Sequence, residues 1–144
     1  MLLFQQNTNS EDQHIKNICG RVNSLKASGK WAVVGEWAPV RTDCTPGING
    51  RNSGSRYAGT HPDSRYRVGD CQGFTGSGAT FSSSYKAFLR KFWEAQVITY
   101  ETERGWMMWT WKTEKADEWS YQAGLKYGWI PKNPTERLYP NICK

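Results

Sequence analysis

Three features of this 144-residue sequence predict an α/β architecture with parallel strands. Trp31 to Glu36 has a continuous apolar centre, Ala32-Val33-Val34, the pattern of a strand covered on both faces. Phe81 to about Arg104 repeats apolar residues at three- and four-residue intervals, as an amphipathic helix does. WMMWTWK, Trp106 to Lys112, then follows Gly105 with the two-residue alternation of a strand. A helix between two strands implies a crossover and a parallel pair.

Taken in order, Leu2 to Phe4 reads as the tail of a strand. Ser10 with Gln13 three residues later suggests a capping box, and Ile15, Ile18, Cys19, Val22 and Leu25 recur as one face of a helix that stops before Gly29. The strand from Trp31 to Glu36 follows directly. From residue 39 to about 80 the periodicity disappears among turn-forming pairs such as PG, NG, SG and HP. A loop of that length needs a source of order. Cys44, Cys71, Tyr57, Tyr66 and Phe74 argue against a flexible linker between two small domains. In the next helix Phe81, Tyr85, Phe88, Leu89, Phe92, Trp93, Val97 and Tyr100 form the inward stripe. Lys86, Arg90, Lys91 and Glu94 are assigned to the outer face, with an N-cap among Ser82 to Ser84. In the aromatic strand Met107, Trp109 and Trp111 share one face, and Trp106, Met108 and Thr110 the other. Thr113 to Lys144 reads as a closing loop with one short helix near Trp119 to Ala123. Two strands with helical crossovers neither close a barrel nor complete a doubly wound sheet.

Composition narrows the function classes. The chain is long enough for one ordinary domain, and 38% hydrophobic with 22% charged residues argues for a globular protein. No apolar run is long enough for a membrane helix. Eight tryptophans, seven tyrosines and five phenylalanines are a heavy aromatic load for this length; several belong to the core, and indoles at strand ends and in loops are also platforms for the flat apolar faces of sugars. The net charge of +6 comes without a nucleic-acid fold signature, so a solvated basic surface is the better account than a nucleic-acid partner. Four widely spaced cysteines with no C-x-x-C, and two histidines outside any zinc spacing, point to two disulfides in an oxidising compartment and to no metal site. Four cysteines allow three pairings. The opening MLLFQQNTNS lacks the basic start, apolar core and cleavage site of a signal peptide, which suggests a piece of something longer.

An ordered set of motifs resembles one family. These are WAVVGEW at 31 to 37, TDC at 42 to 44, NG and RY at 49 to 50 and 56 to 57, GDCQ at 69 to 72, EAQ at 94 to 96, GWMMWTWKTE at 105 to 114, EWS at 118 to 120 and YPNIC at 139 to 143. Together they resemble the C-terminal part of the fungal exo-β-1,3-glucanases of glycoside hydrolase family 5, retaining enzymes built on a (β/α)8 TIM barrel. The resemblance implies that residues 1–144 are a single partial hydrolase domain, about the last two βα units of the barrel, with 39–80 as a long disulfide-stapled loop within it. LLFQQ would be the end of the sixth barrel strand. Glu36 takes the place of the catalytic nucleophile, and Trp111 that of the tryptophan lining the subsite of the glucose to be released. Trp37 and Trp109 join it as substrate-binding candidates. The implied disulfides are Cys44–Cys71 and Cys19–Cys143.

The family works without metal or cofactor on β-glucan chains, outside the cell or in the wall. Its acid/base glutamate belongs to a segment upstream of those matched here. Glu94, Glu101, Glu103, Glu114, Glu118 and Asp43 are the other carboxylates considered, and none is assigned as the general acid. The expectation is therefore a parent enzyme releasing glucose from β-1,3-glucan, with little or no hydrolysis by this chain alone. A second chain supplying the rest of the barrel is one partner this implies. The alternative is a noncatalytic carbohydrate-binding or structural remnant.

Overall fold

The computed structural model describes residues 7–144, so the strand tail at Leu2 to Phe4, and LLFQQ as the end of a barrel strand, lie outside the described residues. The architecture is mixed helix and strand. Its elements are α1 (Glu11–Cys19), α2 (Val22–Lys26), β1 (Val34–Trp37), α3 (Ser83–Tyr100), β2 (Trp106–Met108) and α4 (Tyr121–Tyr127), with a 3₁₀ turn at Asp117–Trp119.

α1 starts where its cap predicts. Ser10 Oγ accepts from Gln13 N, and Glu11 and Asp12 lie in the first turn, where the helix dipole favours negative charge. The Gln13 side chain, however, donates to Asn17 Oδ1 at 2.7 Å, so only half of the capping box forms. The single helix expected up to Gly29 is two. After Gly20 the hydrogen-bond spacing tightens, Arg21 N donating to Ile18 O, and α2 begins from that turn. Glycine's low helix propensity explains the break. The inward face also differs from the aliphatic stripe, because Ile15, Ile18 and Leu25 pack only at the core's edge. The residue of α1 that reaches the core is His14, 2% exposed, whose ring lies 6.0 Å from that of Phe88 and 5.4 Å from that of Phe92.

α3 is the spine of the molecule. Ser82 Oγ caps it by accepting from Tyr85 N. The expected stripe, Phe81, Tyr85, Phe88, Leu89, Phe92, Trp93, Val97 and Tyr100, is buried and joined by Trp37, Ala123, Trp129 and Ile130. Two residues assigned to the outer face are not there. Arg90 is 6% exposed and Glu94 fully buried, ion-paired to each other. Glu94 also accepts from Leu138 N at 2.9 Å and Tyr139 N at 2.7 Å, and Arg90 reaches Glu136 at 3.1 Å. The C-terminal tail therefore covers this side of the helix. The Cys19–Cys143 disulfide fastens the tail to the end of α1.

β1 and β2 pair in parallel with an irregular register. Val34 lies opposite Trp106 and Trp37 opposite Met108, so three steps on β1 span two on β2. This is a bulge, one extra residue on one strand. It turns both Val34 and Trp37 toward α3 and leaves Gly35 and Glu36 on the open side. Regular pairing of β2 ends at Met108, short of the expected Lys112. Beyond it, Trp109 N still donates to Trp37 O, while Thr110 and Trp111 bond to the backbone of residues 119 to 122. Exposure still alternates past the change of partner. Met107, Trp109 and Trp111 are exposed, and Trp106, Met108 and Thr110 half-buried. The strand expected to be covered on both faces is not, since Trp31 and Val33 are exposed.

Between β1 and α3, residues 39 to 80 form neither helix nor strand. Order comes from side chains. Cys44 and Cys71 are bonded, 27 residues apart in sequence. The Asp43 carboxylate accepts from Ser55 Oγ, Arg56 N, Tyr57 N and Asn49 Nδ2 at 2.8 to 3.0 Å. Burial alone would raise its pKa, but these donors outweigh burial and hold it below the ordinary 3.8. Phe74 packs edge-on between Tyr57 and Tyr85, which docks the loop on α3.

Candidate functional site

Parallel strands present their carboxyl ends on the same side of the sheet, and in α/β folds sites gather there. Here those ends carry Glu36 on β1 and Trp109 and Trp111 just beyond β2. Glu36 is exposed, and among the described residues no hydrogen bond or ion pair engages its carboxylate. Glu36 is therefore not a buried structural carboxylate held by an arginine. The bulge is the reason, because it aims Glu36 away from the helix layer. On the same open side an added Cβ at Gly35 would meet Met107 Cε at 3.6 Å.

The three tryptophan candidates have different fates. Trp109 and Trp111 are 57% and 60% exposed. Trp111 lies nearly parallel to Tyr121, with ring centroids 5.8 Å apart and planes 20° apart. Trp37 is 6% exposed, its ring edge-on to Tyr100 at 5.4 Å and to Trp106 at 5.2 Å. Its ring is core, so the strand end presents a carboxylate and two indoles rather than three. Trp119, in the 3₁₀ turn, is half-buried and donates through Nε1 to Thr45 Oγ1 at 2.7 Å.

Of the remaining carboxylates, all but Glu114 are engaged elsewhere or lie away from this end. Glu94 holds the C-terminal tail, and Asp43 the long loop. Glu101 accepts from Trp106 Nε1 and pairs with Arg137. With Glu103 it flanks a groove of about 610 Å³ that runs beside β2 from Gly105 to Trp111, and both sit at the start of that strand. Glu114 is exposed in the turn after Trp111. Glu118 is 1% exposed and accepts from Thr45 Oγ1 and Thr75 Oγ1, each at 2.6 Å. Burial pushes its pKa up from the ordinary 4.5 against those hydroxyl donors. It bolts residues 45 and 75 of the long loop to the segment behind Trp111. Neither Tyr121 nor this bolt was visible in the alternation of residues. The short helix expected near Trp119 to Ala123 is present as α4, which begins at Tyr121 behind a Ser120 cap. Among the described residues no group of three or more His, Cys, Asp or Glu is arranged to hold a metal, and no helix is long and apolar enough to cross a membrane.

Comparison with known proteins gives this constellation a context. The chain is 43% identical over 136 residues to the probable glucan 1,3-beta-glucosidase A of Aspergillus niger. It is 38% identical over 135 residues to the glucan 1,3-beta-glucosidase of Kluyveromyces lactis, and 37% over 132 to that of Candida oleophila. The chain is homologous to part of the fungal glucan 1,3-beta-glucosidases. Each match covers 92 to 93% of this chain. Conversely, the chain spans about a third of each glucan 1,3-beta-glucosidase, 31 to 32% of its length. No family model matches it.

Proposed function

We propose that this chain carries the nucleophile-bearing third of a retaining glycoside hydrolase that releases glucose from the ends of β-1,3-glucan. The observation carrying this reading is Glu36, exposed at the carboxyl end of a parallel strand whose partner strand is followed by the exposed Trp109 and Trp111. Relatives named glucan 1,3-beta-glucosidase support the substrate class. In this reading residues 1–144 are one partial domain of a (β/α)8 barrel of glycoside hydrolase family 5. α3 belongs to the outer helical ring and the open sheet face to the barrel interior. Residues 39–80 form a stapled loop at the mouth.

Retaining hydrolysis needs two carboxyl groups about 5 to 5.5 Å apart. Glu36, ionised, attacks the anomeric carbon of the terminal glucose and forms a glycosyl ester. A carboxylic acid on the remaining part of the barrel gives its proton to the departing glycosidic oxygen. The same group, now ionised, then takes a proton from the water that cleaves the ester, and the configuration is retained. Trp111 offers its face to the apolar side of the glucose ring. Rigid placement at a strand end suits Glu36 to this attack. No cofactor takes part. The two disulfides and the fungal relatives are consistent with work outside the cell or in its wall.

The test is a graft. This chain replaces the matching 136 residues of the Aspergillus niger relative, and glucose release from laminarin is measured. The hybrid is expected to hydrolyse laminarin, and Glu36→Gln in it to lose about a thousandfold or more in kcat. The ungrafted chain is expected to release no glucose. An active hybrid that tolerates Glu36→Gln would remove the nucleophile assignment.

A further inference from the structure

The one Asn-Gly pair of the sequence, Asn49–Gly50, lies in the long loop between the two cysteines of the Cys44–Cys71 disulfide. Asparagine followed by glycine is open to deamidation, because a glycine nitrogen reaches the preceding side-chain carbonyl with no Cβ in the way. The fold has a use for both residues. Gly50 has φ +106°, and an added Cβ there would meet Ser53 Oγ at 3.1 Å, so the turn demands glycine. The Asn49 side chain ties together Asp43, Gly54 and Arg56.

Deamidation begins when the Gly50 nitrogen, having lost its proton, attacks Asn49 Cγ. A C–N bond forms, the Cγ–Nδ2 bond breaks, ammonia leaves with the proton, and a five-membered succinimide remains. Water then adds to one of the two ring carbonyls and opens the ring to aspartate or isoaspartate. In the closed loop the polar atoms of this reaction are all held. Gly50 N donates to Gly47 O at 3.0 Å, which keeps the proton on the nucleophile and aims it at the turn's own carbonyl. Asn49 Nδ2 donates to Asp43 Oδ2 at 2.9 Å and to Gly54 O at 3.0 Å, so both hydrogens of the leaving group are engaged. Asn49 Oδ1 accepts from Arg56 Nη1 at 2.6 Å. That last bond polarises the carbonyl toward attack, so protection rests on the nucleophile and the leaving group. The acceptor Asp43 is itself 6% exposed and takes Ser55 Oγ, Arg56 N and Tyr57 N as well. Freeing Asn49 therefore means opening the loop around that carboxylate.

We propose that Asn49 is a latent modification site guarded by Asp43: it deamidates when the stapled loop opens, and the product hinders reclosure. An aspartate at position 49 keeps Arg56 on one oxygen and sets the other in the place of Nδ2, against Asp43 Oδ2. A donor is thereby replaced by a second carboxylate, and like charges at that distance repel. Isoaspartate also adds a methylene to the backbone of the turn. An opening long enough for ring closure is thus recorded irreversibly, whatever substrate the parent enzyme takes.

The experiment incubates the full, disulfide-bonded chain in mildly alkaline buffer, with and without urea, and follows tryptic peptide 42–51 by mass after reduction and alkylation. That peptide contains no other side-chain amide, so the mass gained when NH2 becomes OH reports Asn49 alone. The folded chain is expected to deamidate at least about tenfold more slowly than the chain in urea, because only its open fraction reacts. Asp43→Ala is expected to raise the folded-state rate by about tenfold or more, with the far-ultraviolet circular dichroism unchanged. If that variant does not fold, amide exchange at Gly50 in the wild type decides, since folding is expected to slow deamidation and exchange by the same factor. Equal rates in buffer and in urea, or a folded-state rate above the open fraction that Gly50 exchange measures, overturn the guard. A folded Asp43→Ala with an unchanged rate removes Asp43 from it. Asn49→Asp, made directly, is expected to lose the Cys44–Cys71 bond to a phosphine several times faster than the wild type, and an equal rate overturns the hindered reclosure.

Discussion

Glu36 and Trp37 are neighbours in sequence, yet one faces solvent and the other lies in the core. A regular strand would put Val34 and Glu36 on one face, and only the extra residue on β1 separates them. His14 is a second case where one position decides an environment. Burial first, and Arg41 second, lower its pKa from 6.5 to about 4, and among the described residues its Nε2 has no partner. The folded protein keeps this ring neutral while the unfolded chain takes up the proton first. The contribution is therefore complete above about pH 6.5 and is lost as pH falls toward about 4, below which both states are protonated. A loss on the order of 2 to 3 kcal/mol is expected across that window. Urea midpoints between pH 7.5 and 4.5 should show it in the wild type, and His14→Leu should lack that part of the slope. Glu118, with its raised pKa, has the opposite sign, since its contribution falls as pH rises, and both proteins share it. Parallel profiles would show that His14 is not the group responsible.

At the scale of elements, α3 shows how far periodicity reaches. Its apolar stripe and its Ser82 cap were legible, because both are local consequences of a 3.6-residue turn. The burial of Arg90 and Glu94 was not, because it depends on a tail more than 40 residues downstream. Charged residues opposite an apolar stripe ordinarily face water. Glu94→Ala would leave the buried Arg90 to its exposed partner Glu136 and two backbone N–H groups without their acceptor. A loss of about 3 to 5 kcal/mol in urea unfolding is expected, with faster hydrogen exchange at the Leu138 and Tyr139 amides. A loss below about 1 kcal/mol would show that water replaces the carboxylate. The site divides in the same way. Glu36 and Trp111 stood out from motif and strand position, whereas the withdrawal of Trp37 into the core and the stacking of Tyr121 needed contacts made across 10 to 69 residues of chain.

Over the whole molecule, one face of the two-stranded sheet is covered by α3 and the other is open. Met107 and Trp109, with Trp31 and Val33 at the entry to β1, are large apolar side chains left exposed. Under the proposed barrel, the polypeptide equivalent to the unmatched part of the relatives would cover them. Mixing the chain with that part of the Candida oleophila relative is expected to give a one-to-one species by light scattering and to suppress binding of an apolar dye. No complex, with dye binding unchanged, would argue that this face has another use.

Taken by itself, the sequence determined the alternation of helix and strand, the capped ends, the aromatic faces of β2 and the carboxylate at the end of β1. Each of these is written in spacing of a few residues, where backbone geometry alone dictates which side chains share a face. Only the tertiary structure decided the bulge that exposes Glu36, the withdrawal of Trp37 and His14 into the core, the clasp of Glu94 on the tail and the stacking of Trp111 on Tyr121. Those depend on which distant segments meet, and burial is a property of the meeting rather than of the residue.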